Sequence, residues 1–267
     1  MDFRGASADS FAAVRADLAS VGGGSEAARV ADDLFSVAVL LRAEPALRRV
    51  ATDVSVAAEA KQGLVRELLG STLGTAAMGI VESAVTRRWT RTRDLADALE
   101  RASEIAVITS AEDADRLADE LFGAAEVVRS HPDLRDALSD PTRSAADKTA
   151  LVDSLFGGRV SPAVATLLKQ ALAGSYRTLG VALETYRRVA ADVHDRSVAT
   201  VRAAQPLREA DRDRLAAALR SQYGREVHLD VVVDPTVIGG LRVEIDHDVI
   251  DGTVAGRLDE ARRQLAG

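Results

Sequence analysis

The chain has 267 residues and a formal net charge of −7, which argues against broad electrostatic capture of nucleic acid or anionic lipid. It contains no cysteine, so disulfides, thiolate nucleophiles and cysteine-ligated metals are excluded. Its longest charge-free run, Leu68 to Val81, is 14 residues and too short for a membrane span, and the first ten residues lack the apolar run of a secretory signal, so a soluble cytoplasmic protein is expected.

Aromatic residues make up only 3% of the chain, which points to close-packed helices with a core of Ala, Leu and Val. Gly22, Gly23 and Gly24 come first. No lysine follows them, so the pattern of a phosphate loop is missing and they read as a linker. Leu34 to Ala43 is predicted helical and stops before Pro45. A helix restarts over Pro45 to Val50, Ala58 to Leu69 is amphipathic and ends at Gly70, and Thr75 to Arg88 follows. At the end of that helix Arg87, Arg88, Arg91 and Arg93 surround Trp89. Arginines beside an aromatic are a candidate contact for an acidic partner or a nucleic-acid strand. The plainer reading is a solvated helix end with Trp89 in the core. Net charge ranks an acidic protein above nucleic acid.

Asp94 to Val128 holds no proline and no strong turn cluster, so one long or slightly broken helix is expected. The earlier punctuation then returns: a break at His131 and Pro132, a turn at Asp140 and Pro141, a helix from Ser144 to Phe156 stopped by Gly157 and Gly158, and Pro162 in the next first turn. Leu34 to Gly70 aligns without a gap on Leu121 to Gly157 at an offset of 87, with 14 identities in 37 pairs. Retained residues include Leu34, Phe35, Leu47, Leu64, Val65 and Leu68, apolar at helical spacing. An internal duplication is therefore predicted, the second copy keeping only Arg177 of the arginine cluster.

From Ser197 the period changes. Ser197 to Leu207 reads as a strand leading into a helix. Val227, Leu229, Val231 and Val233 alternate with polar residues, Asp234 and Pro235 break the run, and Leu241, Val243 and Ile245 resume it, which predicts an antiparallel pair. Gly239 and Gly240 open the second run, where glycine marks a bulge or a close backbone approach, here expected toward a packed helix. Asp251 and Gly252 turn the chain into a last helix striped by Val254, Leu258, Ala261 and Leu265, with Asp251 or Thr253 as its cap. The fold class expected is mainly α: two related helical bundles followed by a small α+β domain, with divisions at 1–110, 111–196 and 197–267.

Nothing in this pattern carries catalysis. The four histidines, His131, His194, His228 and His247, never stand at i, i+4 as a helical zinc pair would. Asp246, His247 and Asp248 could hold a cation, yet they fall in a predicted hairpin turn where polar residues are ordinary. No catalytic, cofactor or metal residue is assigned, and an enzyme would need a cleft joining His228, Asp246, His247 and Asp248.

The ordered series Asp234, Pro235, Ile238, Gly239, Gly240, Leu241, Arg242, Val243, then Ile250, Asp251, Gly252, Val254, Gly256, Arg257 and Leu258 resembles the C-terminal signature of the delta subunit of F-type ATP synthases, the family that includes the mitochondrial oligomycin-sensitivity-conferring protein. Thr253 stands where serine is usual there. The resemblance covers Ala111 to Gly267, and removing one repeat leaves 180 residues, about the length of a single-copy delta subunit, so the chain looks like the enlarged actinobacterial form. The resemblance implies a non-catalytic stator subunit that grips N-terminal helices of the alpha subunits with its helical domain and the b-subunit stalk with its C-terminal domain. It further implies one copy per complex, peripheral, on the cytoplasmic side of the cell membrane. The alternative is a helical repeat adaptor of another complex.

Overall fold

Proline and glycine set the helix boundaries. The computed structural model describes residues 3–140, 142–245 and 248–254. Its helices in order are α1 (Ala6–Ala19), α2 (Ser25–Ala43), α3 (Pro45–Thr52), α4 (Ala58–Leu69), α5 (Thr75–Thr86), α6 (Asp94–Thr109), α7 (Ala114–Ser130), α8 (Pro132–Ser139), α9 (Ala145–Phe156), α10 (Pro162–Ala173) and α11 (Leu179–Val193). Pro45, Pro132 and Pro162 each occupy the first turn of a helix, where the missing N–H costs nothing because that donor would be unpaired anyway. The chain divides into two compact units, Met1–Val189 and Ala190–Gly267.

In the first unit the offset of 87 carries whole helices onto one another. Both ends of α3, α4 and α5 coincide with those of α8, α9 and α10, and α2 ends where α7 does. Local chemistry repeats with them. Arg48 donates to the Arg42 carbonyl at 3.3 Å and Arg135 to the Arg129 carbonyl at 2.5 Å, closing the ends of α2 and α7. Asp53 accepts from the Ser55 N–H and hydroxyl, and Asp140 accepts from the same groups of Thr142. These bonds hold both carboxyls below the usual aspartate range. Asp33 accepts the N–H of Gly74 at 2.8 Å, and Glu120 that of Ser161 at 2.6 Å. This last pair is equivalent by position yet shares no residue identity, so it escapes a count of matching letters.

The same offset lays α1 on α6 and α6 on α11, so each repeat is a six-helix unit and α6 serves both. That double duty explains its burial. Leu95 to Ile108 is buried almost without interruption, Asp97 excepted, as expected of a helix enclosed on all sides. The long or slightly broken helix expected from Asp94 to Val128 is interrupted at residues 110–113, where Asp113 accepts the N–H groups of Asp115 and Arg116 and caps α7.

The second unit holds β1 (Arg196–Ala203), α12 (Glu209–Tyr223), β2 (Glu226–Val233), β3 (Leu241–Ile245) and β4 (Asp248–Asp251) in a sheet of order β2-β1-β3-β4. One expectation is corrected here. β2 and β3 are not neighbours: β1 lies between them, parallel to β2 and antiparallel to β3. Alternation tells which face of a strand is buried and not which strand lies beside it, and α12 supplies the crossover that a parallel β1–β2 pair requires. β3 and β4 pair antiparallel, either side of the hairpin turn expected at Asp246 to Asp248. Ala199, Val201, Leu219, Val227, Leu229, Val243 and Ile245 form the core, and Gly224 ends α12 in the left-handed conformation at φ +73°.

Candidate functional site

The arginine segment is a tied loop between α5 and α6. Trp89 is buried, and its indole N–H donates to the Ala84 carbonyl at 2.9 Å. Its main chain is fastened to α1: Ser10 Oγ donates to the Arg88 carbonyl at 2.7 Å, and the Thr90 N–H donates to Ser7 Oγ at 2.8 Å. Ser7 in turn donates to Asp94, which also accepts the Arg91 N–H. Arg87 turns inward toward Ser83 at 3.0 Å and Asp17 at 3.5 Å. What remains outside is Arg88, Arg91 and Arg93, all exposed. The loop is held by its backbone and its tryptophan, which leaves three guanidinium groups facing solvent on a firm base. Such groups suit bidentate recognition of carboxylates.

The C-terminal signature residues converge on a knot of two loops at one end of the sheet. Asp234 accepts the Thr236 N–H at 2.9 Å and its hydroxyl at 2.6 Å, while Asp251 accepts the Thr253 N–H at 3.0 Å and its hydroxyl at 2.6 Å. The bonds from Thr253 hold the Asp251 carboxyl below its usual range. Pro235 follows Asp234 in the first loop and is exposed. The loops are stitched together by Gly252 N–H to the Leu241 carbonyl at 2.8 Å and Val254 N–H to the Gly239 carbonyl at 3.2 Å. Gly239 and Gly240 have φ of +67° and +82°, a region costly for other residues. A Cβ on Gly240 would collide with the Gly252 carbonyl and stand 2.9 Å from Thr253 Cα. The close approach of Gly240 is thus to Gly252 and Thr253, and a Cβ on Gly239 would stand 3.3 Å from Val254 Cγ2. In these loops and on the strands beside them Val233, Ile238, Val249, Ile250 and Val254 are exposed apolar side chains.

Leu258, Ala261 and Leu265 of the expected last helix lie outside the described residues, as do Pro141, Asp246 and His247. Asp248 accepts the Tyr223 hydroxyl at 3.0 Å. It sits on β4, at the opposite edge of the sheet from His228 on β2, three strand spacings or roughly 14 Å away, so these two do not share a cleft. Sequence reading missed the ionisable residues buried on α6, Glu100, Arg101 and Glu104. Their signal was a charge-bearing face on a helix that two repeats must enclose, visible only once α6 is counted in both.

The family described as ATP synthase delta (OSCP) subunit matches residues 96–265, a span that takes in most of α6. An ATP synthase subunit delta from Nocardioides sp. (strain ATCC BAA-499 / JS614) is 53% identical over 244 residues, covering 91% of this chain and 89% of that relative. One from Streptomyces avermitilis is 41% identical over 272 residues and covers all of both chains. One from Kineococcus radiotolerans is 43% identical, covering 91% of this chain and 90% of that relative. The full-length coverage extends the likeness through α1 to α5, upstream of the family match. On this evidence the chain belongs to the ATP synthase delta (OSCP) subunit family.

Proposed function

We propose that this chain is the stator element that holds the catalytic head of an F-type ATP synthase against the drag of the rotor. Family membership makes it a peripheral-stalk subunit of that complex, and the match across residues 96–265, which spans both compact units, is the observation that carries the reading. A stator must resist torque without dissociating and without chemistry of its own, which calls for broad, stiff contact surfaces. Helices packed round α6 supply stiffness in the first unit. In the second, the glycine knot presents Ile238, Val249, Ile250 and Val254. The helical unit would receive N-terminal helices of the alpha subunits, and the knot would receive the b-subunit stalk. Arg88, Arg91 and Arg93 would brace an acidic stretch of that stalk. The subunit then works as one non-catalytic copy, peripheral, on the cytoplasmic side.

Purified alpha and b subunits test this by pull-down with the full chain. Wild type should retain both, and Gly240→Val, which rebuilds the knot, should lose b while keeping alpha. Arg88, Arg91 and Arg93 changed together to Gln should weaken b binding at low salt, the deficit shrinking as salt screens the wild-type attraction. Failure of the wild-type chain to retain either subunit would favour an adaptor of another complex.

A further inference from the structure

Where the two repeats meet, α6 carries a buried ionic cluster that head-to-stalk attachment does not require. Glu104 is fully buried and Arg101 is nearly so, with Arg101 Nη1 2.9 Å from Glu104 Oε2. One turn back on α6, Glu100 is 1% exposed. It accepts the Ser175 N–H on one oxygen at 2.8 Å, and Arg42 of α2 donates to its other oxygen. Arg42 also reaches Asp97 at 3.1 Å. From the loop before α11 Tyr176, and from α11 the buried Tyr186, both act on Glu104 electrostatically. The two rings meet edge to face at 5.5 Å. The Tyr186 hydroxyl is buried with no hydrogen-bond partner among the described residues.

The charges in this cluster do not balance. Two guanidinium groups, Arg42 and Arg101, stand against three carboxyl groups, Asp97, Glu100 and Glu104. Both oxygens of Glu100 are engaged by donors, and Asp97 is 22% exposed and partly solvated. Glu104 is the group left to relieve the surplus, because an uncompensated buried charge is costly and protonation removes it. We propose that Glu104 is a proton-operated clasp between the repeats: protonated, it keeps residues 174–186 seated against α6, and ionised, it loosens that segment.

The electrostatics agree with the geometry. Burial pushes the Glu104 carboxyl up to about 7, with Arg101 opposing and Glu100 adding to the rise. A carboxyl raised in the folded state gives stabilisation that is complete below its ordinary value of 4.5 and is lost as pH rises through about 7. The first repeat provides a control. Asp17 of α1 occupies the position of Glu104 at the offset of 87, but it is 37% exposed and meets Arg87 at 3.5 Å, so no such surplus is trapped there.

The test is backbone hydrogen exchange on the full chain at about pH 6 and about pH 8, corrected for intrinsic rates. Residues 174–186 should be roughly tenfold better protected at the lower pH, while residues 87–93 should not change. Glu104→Gln, a neutral carboxyl mimic, should abolish the difference and keep residues 174–186 protected at both values. Protection of residues 174–186 that is independent of pH in the wild type, a parallel change in residues 87–93, or a pH response that survives Glu104→Gln would overturn the proposal. Should that variant fail to fold, carbon-13 NMR of glutamate-labelled wild type decides. One carboxyl with a midpoint near 7 supports the clasp, and midpoints all near or below the ordinary glutamate value overturn it.

Discussion

Segments 87–93 and 174–180 occupy the same place in the two repeats and are used differently. In the first, Trp89 is buried, the backbone is tied to serines of α1 and three arginines face solvent. In the second, Gly174, Ser175 and Tyr176 replace Arg87, Arg88 and Trp89, and the segment turns the Ser175 N–H onto the Glu100 carboxyl of α6 and packs the Tyr176 ring edge to face on Tyr186. The reason lies beneath them. α1 is partly exposed, whereas α6 is enclosed. A duplicated scaffold thus keeps its helix boundaries while the duplicated loop becomes a free surface in one copy and internal fastening in the other.

The largest expected effect is Trp89→Ala. It should cost about 3–5 kcal/mol in urea unfolding, whereas Tyr176→Phe, which removes a buried hydroxyl that has no hydrogen-bond partner among the described residues, should cost less than about 1 kcal/mol. Comparable losses at the two positions would break the contrast between the two segments. Next is Gly174→Val, expected to cost about 2–4 kcal/mol, because a Cβ there would collide with Glu100 Oε1 and stand 2.8 Å from the Gln170 carbonyl. Its counterpart Arg87→Ala should cost far less. Asp17→Asn should cost about 1 kcal/mol or less, since it weakens a part-exposed pair with Arg87 while the amide oxygen can still accept from the Ser83 hydroxyl, and it should leave the pH response of the chain unaltered. The smallest effects should come from Asp53→Ala and Asp140→Ala, each removing the same turn bonds. Both carboxyls are depressed, so this stabilisation is present above the ordinary aspartate value and lost as pH falls through the folded one. Equal losses in the two variants would sharpen the equivalence of the repeats, and unequal ones would show that the turns have diverged.

Punctuation was legible because it acts locally. Pro45, Pro132 and Pro162 restrict their own backbone and that of the residue before, so the boundaries of α3, α8 and α10 could be read directly. The ungapped repeat and the signature glycines were legible for the same reason, each being a demand on one position. Tertiary choices were not. Nothing in the alternation of β2 and β3 says that β1 runs between them, and the four residues of β4 are too few for periodicity to show. α1 and the shared role of α6 were missed because α1 has diverged almost wholly from α6 in sequence, so only the helix boundaries betray the correspondence. Trp89 had two readings, and hydrogen bonding to Ala84 puts it in the core, with the arginines alone left for a partner.

Sharing α6 also removes any seam at which the repeats could be separated. Cutting the chain near residue 110 would take the opening helix from one bundle and leave the closing helix of the other without half of its cover, so neither piece would be a complete folding unit. A rod clamped along its length by both halves leaves no interdomain linker that could act as a swivel. Twist applied to one repeat would reach the other through the packed side chains of α6.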